Sequence, residues 1–344
     1  MMDHPLISLN NTVYLEDGKL VILDRRRFPR EKVAVLCCDY EDVARAIEDM
    51  AVQGAGDIAI TAGYGLYLAA RGLGHEQLTR LEKTREYMEQ ARVRLVRTRP
   101  TGFHLAALLS RLMDGLGDDP SDWAEYILSS IQELINRQQQ RARLTAQRAE
   151  TLLADGDTVL SHCFPGAALP LMLYFALQNG KEVKLIATET RPYLQGARLT
   201  AWVSSELGVP TTLITDNMVA HCMSRGMITK VFTAADRIAL DGIVANKIGT
   251  LQIALLARHY GIPMHILGYG PPDKNTVIGT DIPIEMRDPE EVRHFQGSLI
   301  TGDKVEAIYP AFDLTPPHLI QSIITDRSII EPAKINTYWT LPKA

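Results

Sequence analysis

The 344-residue chain is short of several things. It has four cysteines, Cys37, Cys38, Cys163 and Cys222. That is too few for a disulfide framework, and the CxxC spacing of a zinc site is missing, so they read as free thiols. It has no excess of positive charge: 36 Lys+Arg against 41 Asp+Glu give a formal net charge of −5. Such a chain offers no basic field to nucleic acid or to an anionic membrane, and neither is expected as a partner. It has no apolar run of membrane-spanning length. Its first residues, MMDHPLISLNNTVYLEDGK, lack the basic start and continuous apolar stretch of a secretory signal, so a cytoplasmic location is expected. Repeats and low-complexity segments are absent too. What is there, 46% hydrophobic and 22% charged residues, suffices for one large or two ordinary cores.

The first forty residues alternate with the two-residue period of half-buried strands in TVYLED, KLVILD and KVAVLCC, with breaks such as Asp17-Gly18 between them. From Tyr40 the period lengthens. Val43, Ala46, Ile47 and Met50 fall at helical spacing, and helical patterns recur over 62–72, 76–95 and 103–115. Asp118-Asp119-Pro120-Ser121 then precedes a long helix, SDWAEYILSSIQELINRQQQRARLTAQRAETLLADGD, whose polar second half reads as a connector. Beyond it TVLSH, VKLIAT, TTLIT, VFTAAD and MHILGY alternate with helical segments, the rhythm of βαβ units. The expected fold is α/β: a small β-rich and helical N-terminal domain over 1–150, and a Rossmann-like parallel-sheet C-terminal domain over 151–344.

The run TVLSHCFPGAALPLML places Cys163 between the end of a strand and a helix opened by Gly166-Ala167. In parallel α/β sheets ligands sit beyond the carboxyl ends of the strands, where helix N-termini present unpaired N–H groups. A helix N-terminus lowers a thiol pKa, which predicts thiolate character here. Alone, a free cysteine is more often a small core hydrophobe. Other strand exits carry polar groups as well: Glu189, Arg191, Gln195 and Arg198 after VKLIAT, Asp216-Asn217 after TTLIT, and Asp236-Arg237 after VFTAA. Ala245-Asn246-Lys247-Ile-Gly-Thr250 follows and opens another helix. Singly these are helix caps and surface pairs. Together they ring one crevice. Strand alternation turns His162 away from its neighbour, making it a support and not a dyad partner. Cys37-Cys38 is strand packing, since adjacent cysteines seldom meet disulfide geometry. Gly63-Tyr64-Gly65 lies inside an apolar helical pattern without GxGxxG spacing and is no nucleotide loop.

The runs ETRPYLQGARLTAW, TLITDNMVAH, ADRIALDGIVANKIGT, IPIEMRDPEEV and YPAFDLTP closely resemble methylthioribose-1-phosphate isomerases. TRPTGFHL and, more loosely, DMAVQGAGDIAITAGYGLYLAA extend the likeness over nearly the whole chain. The wider superfamily also holds ribose-1,5-bisphosphate isomerases and regulatory initiation-factor subunits that share the fold without necessarily sharing catalysis, so fold alone does not establish an enzyme. The resemblance implies an aldose–ketose isomerase of a 5-modified ribose 1-phosphate, with Cys163 and Asp236 as the catalytic pair. It implies Gln53, Gly54, Ala55, Arg99, Gln195, Asn246 and Lys247 as substrate contacts. It implies no metal or organic cofactor, a small-molecule sugar phosphate as ligand, and a homodimer paired through C-terminal domains.

Four stretches depart from the family pattern. An arginine followed by Gly-Ala-Pro-Ala-Ile-Gly is replaced by Gln53-Gly-Ala-Gly56-Asp57-Ile-Ala59, which removes a cation and adds a carboxylate. Phe164-Pro165-Gly166 stands for Asn-Thr-Gly, and Ala234 for a glycine. Gly268-Tyr-Gly-Pro-Pro-Asp273-Lys274 replaces a loop containing Ser-Thr. Gln53 and Asp57 predict weaker anion binding and repulsion of a second phosphate, hence a preference for a neutral 5-substituent such as methylthio over ribose 1,5-bisphosphate.

Overall fold

Three short strands open the chain: β1 (Val13–Glu16), β2 (Lys19–Leu23) and β3 (Ala34–Cys37), an antiparallel sheet in that order. Its first turn uses Asp17 (φ 47°) and Gly18 (φ 76°) in the left-handed region. The computed structural model describes residues 12–74, 79–99 and 103–342. Residues 100–102 of the TRPTGFHL motif therefore lie outside the described residues.

The chain divides into two units, Met1–Gln139 and Gln140–Ala344. After the sheet, the first unit is helical: α1 (Tyr40–Glu48), α2 (Ala55–Arg71), α3 (Leu81–Arg97), α4 (Phe103–Asp114) and α5 (Trp123–Glu150), the last containing the residues where the units divide. Asp39 caps α1 by accepting the Asp42 N–H at 2.9 Å. The core of this unit collects Val43, Ile47, Ile60, Leu66, Leu95, Leu109, Trp123 and Ile131, all at most 1% exposed. Gly63 and Gly65 belong to this packing. A Cβ on Gly65 would stand 2.9 Å from Leu95 Cδ2 and 3.1 Å from Val43 Cγ1, so the glycine lets neighbouring helices approach.

The second unit carries β4 (Thr158–Ser161), β5 (Lys184–Thr188), β6 (Thr211–Ile214), β7 (Lys230–Ala234), β8 (Arg237–Ile238), β9 (Val244–Lys247), β10 (Met264–Tyr269), β11 (His294–Phe295), β12 (Ser298–Leu299), β13 (Phe312–Thr315), β14 (Ser322–Thr325) and β15 (Ile329–Ile330). Seven of them form one sheet in the order β15-β14-β10-β7-β4-β5-β6, parallel throughout except for β15. This is the doubly wound arrangement: the chain runs outward from β4 through β5 and β6, then returns to add β7, β10 and β14 on the other side. The strand order reverses between β4 and β7, the point at which sheets of this kind place their ligand crevice. The Asn246-Lys247 segment, read from sequence as the opening of a helix, is instead the end of β9. β9 belongs to a separate antiparallel sheet, β13-β9-β8, and its helix starts only at Thr250. Among the described residues, no helix is long and apolar enough to cross a membrane.

Candidate active site

β4 ends at Ser161, and the chain turns at His162 and Cys163 on one side of the reversal point. His162 is 2% exposed. Its Nε2 donates to the Ile248 carbonyl at 2.8 Å, so Nδ1 is the acceptor for the Thr188 hydroxyl at 2.6 Å. Burial lowers its pKa against the pull of Asp216, 3.9 Å away. A neutral ring tied at both nitrogens braces the turn and takes no proton from the thiol beside it.

Cys163 sits in the left-handed region, φ 62°. Its N–H donates to Thr190 Oγ1 at 2.9 Å and its carbonyl accepts from the Thr200 hydroxyl at 2.5 Å. The thiol is pushed up to about 11, by burial first; the Lys247 charge opposes this and the Asp236 and Asp216 charges add to it. The expected depression of this thiol is thus corrected. The following helix begins only at Ala168, and desolvation with two nearby carboxylates outweighs the helix end and the lysine.

Asp236 follows β7, the strand beside β4, and its N–H donates to the Ala245 carbonyl at 2.9 Å. Asn246 Nδ2 donates to Thr250 Oγ1 at 2.9 Å, and that hydroxyl donates to the Lys247 carbonyl at 2.7 Å. Lys247, 8% exposed, holds its Nζ 4.7 Å from the centre of the Phe312 ring. Opposite Asn246, the Asp313 carboxylate accepts the Gly249 and Leu251 N–H groups at 2.7 and 3.1 Å, which fixes the start of the helix Thr250–His259. Burial pushes Asp313 up to about 6. Asp236 and Lys247 therefore both act electrostatically on Cys163, the three residues standing at three strand ends.

Gln195 lies in the segment after β5 and is 8% exposed, its Oε1 without a hydrogen-bond partner among the described residues. Asp216, which the sequence offers as a helix cap, instead accepts the N–H groups of Thr190 and Arg191, both at 2.8 Å. It holds the loop whose Thr190 anchors Cys163. Arg191 donates to the Val292 and His294 carbonyls and Arg198 to the Tyr193 carbonyl.

Two of the sequence departures are physically coupled. The Tyr269 hydroxyl, at the end of β10, donates to the Pro165 carbonyl and accepts the Ala168 N–H at 2.9 Å. Gly166, at φ 71°, leaves it room, because a Cβ there would stand 2.5 Å from that hydroxyl. The 164–166 turn beside Cys163 and the 268–274 loop are thus tied together through this hydroxyl.

In the first unit, Gln53-Gly54-Ala55 lead into α2 and Arg99 follows α3. The two sites meet at Met50: Arg99 Nη1 lies 3.0 Å from its Sδ, and Gln53 Nε2 donates to its carbonyl at 3.4 Å. Gln53 is 3% exposed, with Oε1 unpartnered among the described residues. Sequence reasoning missed Arg25. Its guanidinium donates to the Gln53 carbonyl and reaches Asp57 Oδ2 at 2.6 Å, so the added carboxylate is neutralised. The Arg25-Arg26-Arg27 run was visible, but nothing in it distinguishes the buried arginine from the exposed ones.

The profile of the Initiation factor 2 subunit family matches residues 51–332. The chain is 38% identical over 332 residues to a methylthioribose-1-phosphate isomerase of Desulforudis audaxviator, covering 93% of this chain and 94% of that protein. It is 39% identical over 324 residues to the enzyme of the same name from Thermosipho africanus, covering 91% and 93%. Among solved structures, 5-methylthioribose 1-phosphate isomerase from Pyrococcus horikoshii superposes with a TM-score of 0.84 at 32% identity, covering 96% of this chain and 94% of that one. A structure described as translation initiation factor eIF-2B subunit delta from A. fulgidus gives 0.79, also at 32% identity, covering 93% and 96%.

Proposed function

The chain belongs to the initiation factor 2 subunit family, and we propose that it is an aldose–ketose isomerase converting 5-methylthioribose 1-phosphate, or a close 5-modified ribose 1-phosphate, to the ribulose 1-phosphate. The observation that carries the reading is the placement of Cys163 and Asp236 at the exits of the paired strands β4 and β7, where the strand order reverses. The relatives named methylthioribose-1-phosphate isomerase support the substrate class.

An aldose 1-phosphate is locked as a cyclic acetal, so a proton must reach the ring oxygen before C1 and C2 can exchange oxidation state. Asp236 is assigned as that donor. Protonation breaks the bond between C1 and the ring oxygen and leaves C1 electron-poor, stabilised by its phosphate oxygen. A hydride moving from C2 to C1, with loss of the C2 hydroxyl proton, then gives the ketose. The alternative removes C2–H as a proton and returns it at C1 through an enol phosphate. Burial pushes the Cys163 thiol up, which favours the first route, because the second begins with a base. Lys247, Asn246 and Gln195 are assigned to the substrate, with Lys247 the cation for phosphate. In the first unit, Gln53, Gly54, Ala55 and Arg99 are assigned as further substrate contacts. A homodimer, the assembly the resemblance implies, should appear in sedimentation at micromolar concentration.

The test is ketose phosphate formation by the purified protein. Cys163→Ser and Asp236→Asn should each lower turnover about a hundredfold or more. The reading fails if neither does. The second reading, a non-catalytic sugar-phosphate-binding or nucleotide-binding regulatory subunit, draws on the equal identity to the structure described as eIF-2B subunit delta. Binding without turnover would favour it.

A further inference from the structure

Gln53 stands where the family pattern has an arginine, and its two side-chain polar atoms differ in what they meet. Nε2 donates to the Met50 carbonyl at 3.4 Å. Oε1 has no hydrogen-bond partner among the described residues, although the residue is 3% exposed. The Met50 carbonyl decides which way the amide faces: it accepts and cannot donate, so turning the amide over would set oxygen against oxygen. The backbone of Gln53 is held as well. Arg25 donates to its carbonyl through Nη1, and through Nη2 to the Thr12 hydroxyl at 3.2 Å and the Asp57 carboxylate at 2.6 Å. Gln53 is therefore a fixed acceptor with no donor among the described residues. The next residue, Gly54, is exposed, so a ligand can approach within one residue of that acceptor.

A buried acceptor left without a donor costs stability, and such a group persists where a ligand supplies the donor. The chemistry of a sugar phosphate decides which of its groups that is. Phosphate oxygens are acceptors and would face Oε1 as like against like. A hydroxyl donates. A 5-modified ribose 1-phosphate has two free hydroxyls, at C2 and C3. The C2 hydroxyl loses its proton in the reaction, and an amide oxygen is too weak a base to take it. The C3 hydroxyl keeps its proton from substrate to product, so a neutral acceptor can hold it throughout turnover.

We propose that Gln53 Oε1 is the acceptor for the C3 hydroxyl of the sugar. The inference rests on the isomerase reading above and names the substrate group that one of its assigned contacts recognises. An arginine at this position offers donors only, so the departure from the family pattern reverses the polarity of the contact as well as removing a charge. The nearby cation does not restore the lost charge, because the Arg25 guanidinium is paired with Asp57 and its own side chain is 3% exposed.

The experiment compares catalytic efficiency for 5-methylthioribose 1-phosphate and its 3-deoxy analogue in the parent, Gln53→Met and Gln53→Leu. Both variants keep a side chain of similar size and lose the acceptor. The parent should prefer the 3-hydroxyl sugar by about ten- to a hundredfold, as leaving a buried acceptor unpaired implies. In either variant that preference should fall to within about threefold of one. A ratio is insensitive to the fraction of folded enzyme, and the parent's own preference is read without any variant. Inhibition by inorganic phosphate, measured on the same three proteins, should change by less than about threefold, since the side chain does not face the phosphate. If the parent turns over neither sugar, the isomerase reading fails and this inference falls with it. If the parent is active but shows no preference, or the variants keep its preference, Gln53 does not hold the C3 hydroxyl and the isomerase reading stands. Weaker phosphate inhibition in the variants with the sugar preference intact would put the side chain on the phosphate and overturn the inference.

Discussion

The Arg25 guanidinium and the Asp57 carboxylate lie 2.6 Å apart, with side chains 3% and 28% exposed, across the turn that carries Gln53. The same guanidinium donates to the Gln53 carbonyl, so one cation holds both the backbone and the acidic neighbour of a proposed substrate loop. Breaking a pair this deeply placed leaves an uncompensated charge. Arg25→Met is expected to destabilise the fold by about 3 kcal/mol in urea unfolding, and Arg25→Met with Asp57→Leu to recover more than half of that. Two additive losses would show that the two groups do not interact.

Cys163 should alkylate slowly at neutral pH. In a Cys38→Ser background, its iodoacetamide rate is expected to climb with pH toward a midpoint near 11. Lys247→Met removes the charge that draws the thiol down and should shift the profile further up. A plateau already reached at pH 8 would mean that desolvation is not the dominant influence on this group.

Tyr269→Phe deletes the hydroxyl that both donates to Pro165 and accepts from Ala168. We expect a loss of about 1–3 kcal/mol in stability, because a buried N–H and a carbonyl lose their partner. A disproportionate fall in turnover should accompany it, since the turn begins at the proposed thiol. Unchanged kcat with unchanged Tm would remove Tyr269 from any role beside Cys163.

His265 is 5% exposed and stacks 4.9 Å from Phe232, with Nδ1 2.8 Å from the Ser322 hydroxyl oxygen. Burial lowers it to about 4. The unfolded chain therefore binds a proton that the folded one refuses, and stability is lost as pH falls below about 6.5. The contribution should reach about 2 kcal/mol by pH 5. Denaturant midpoints for the parent and His265→Gln, measured from pH 7.5 to pH 5, test this. Parallel curves would assign the acid sensitivity elsewhere.

Much of the fold is legible in local pattern. The alternation in KLVILD and the βαβ rhythm from TVLSH onward locate β2 and the strands β4 to β7, because period and apolar content are properties of short segments. The appearance of Cys163 and Asp236 at strand exits is legible for the same reason. Asn246 and Lys247 read as a helix start because the pairing of β9 with β13 joins residues far apart in sequence, and no local period records it. The state of the thiol was likewise out of reach. It depends on Lys247, Asp236 and Asp216 arriving from other strands and on how much water is excluded, all of which are set by packing. The same holds for Asp57, a repulsive charge when read alone. It becomes one half of an ion pair only after β2 brings Arg25 across 32 residues of chain to meet it. Composition and periodicity determined which segments form elements and which of their ends carry chemistry; tertiary structure decided the charge each of those groups bears, because electrostatic energy depends on distances and burial that local sequence does not encode.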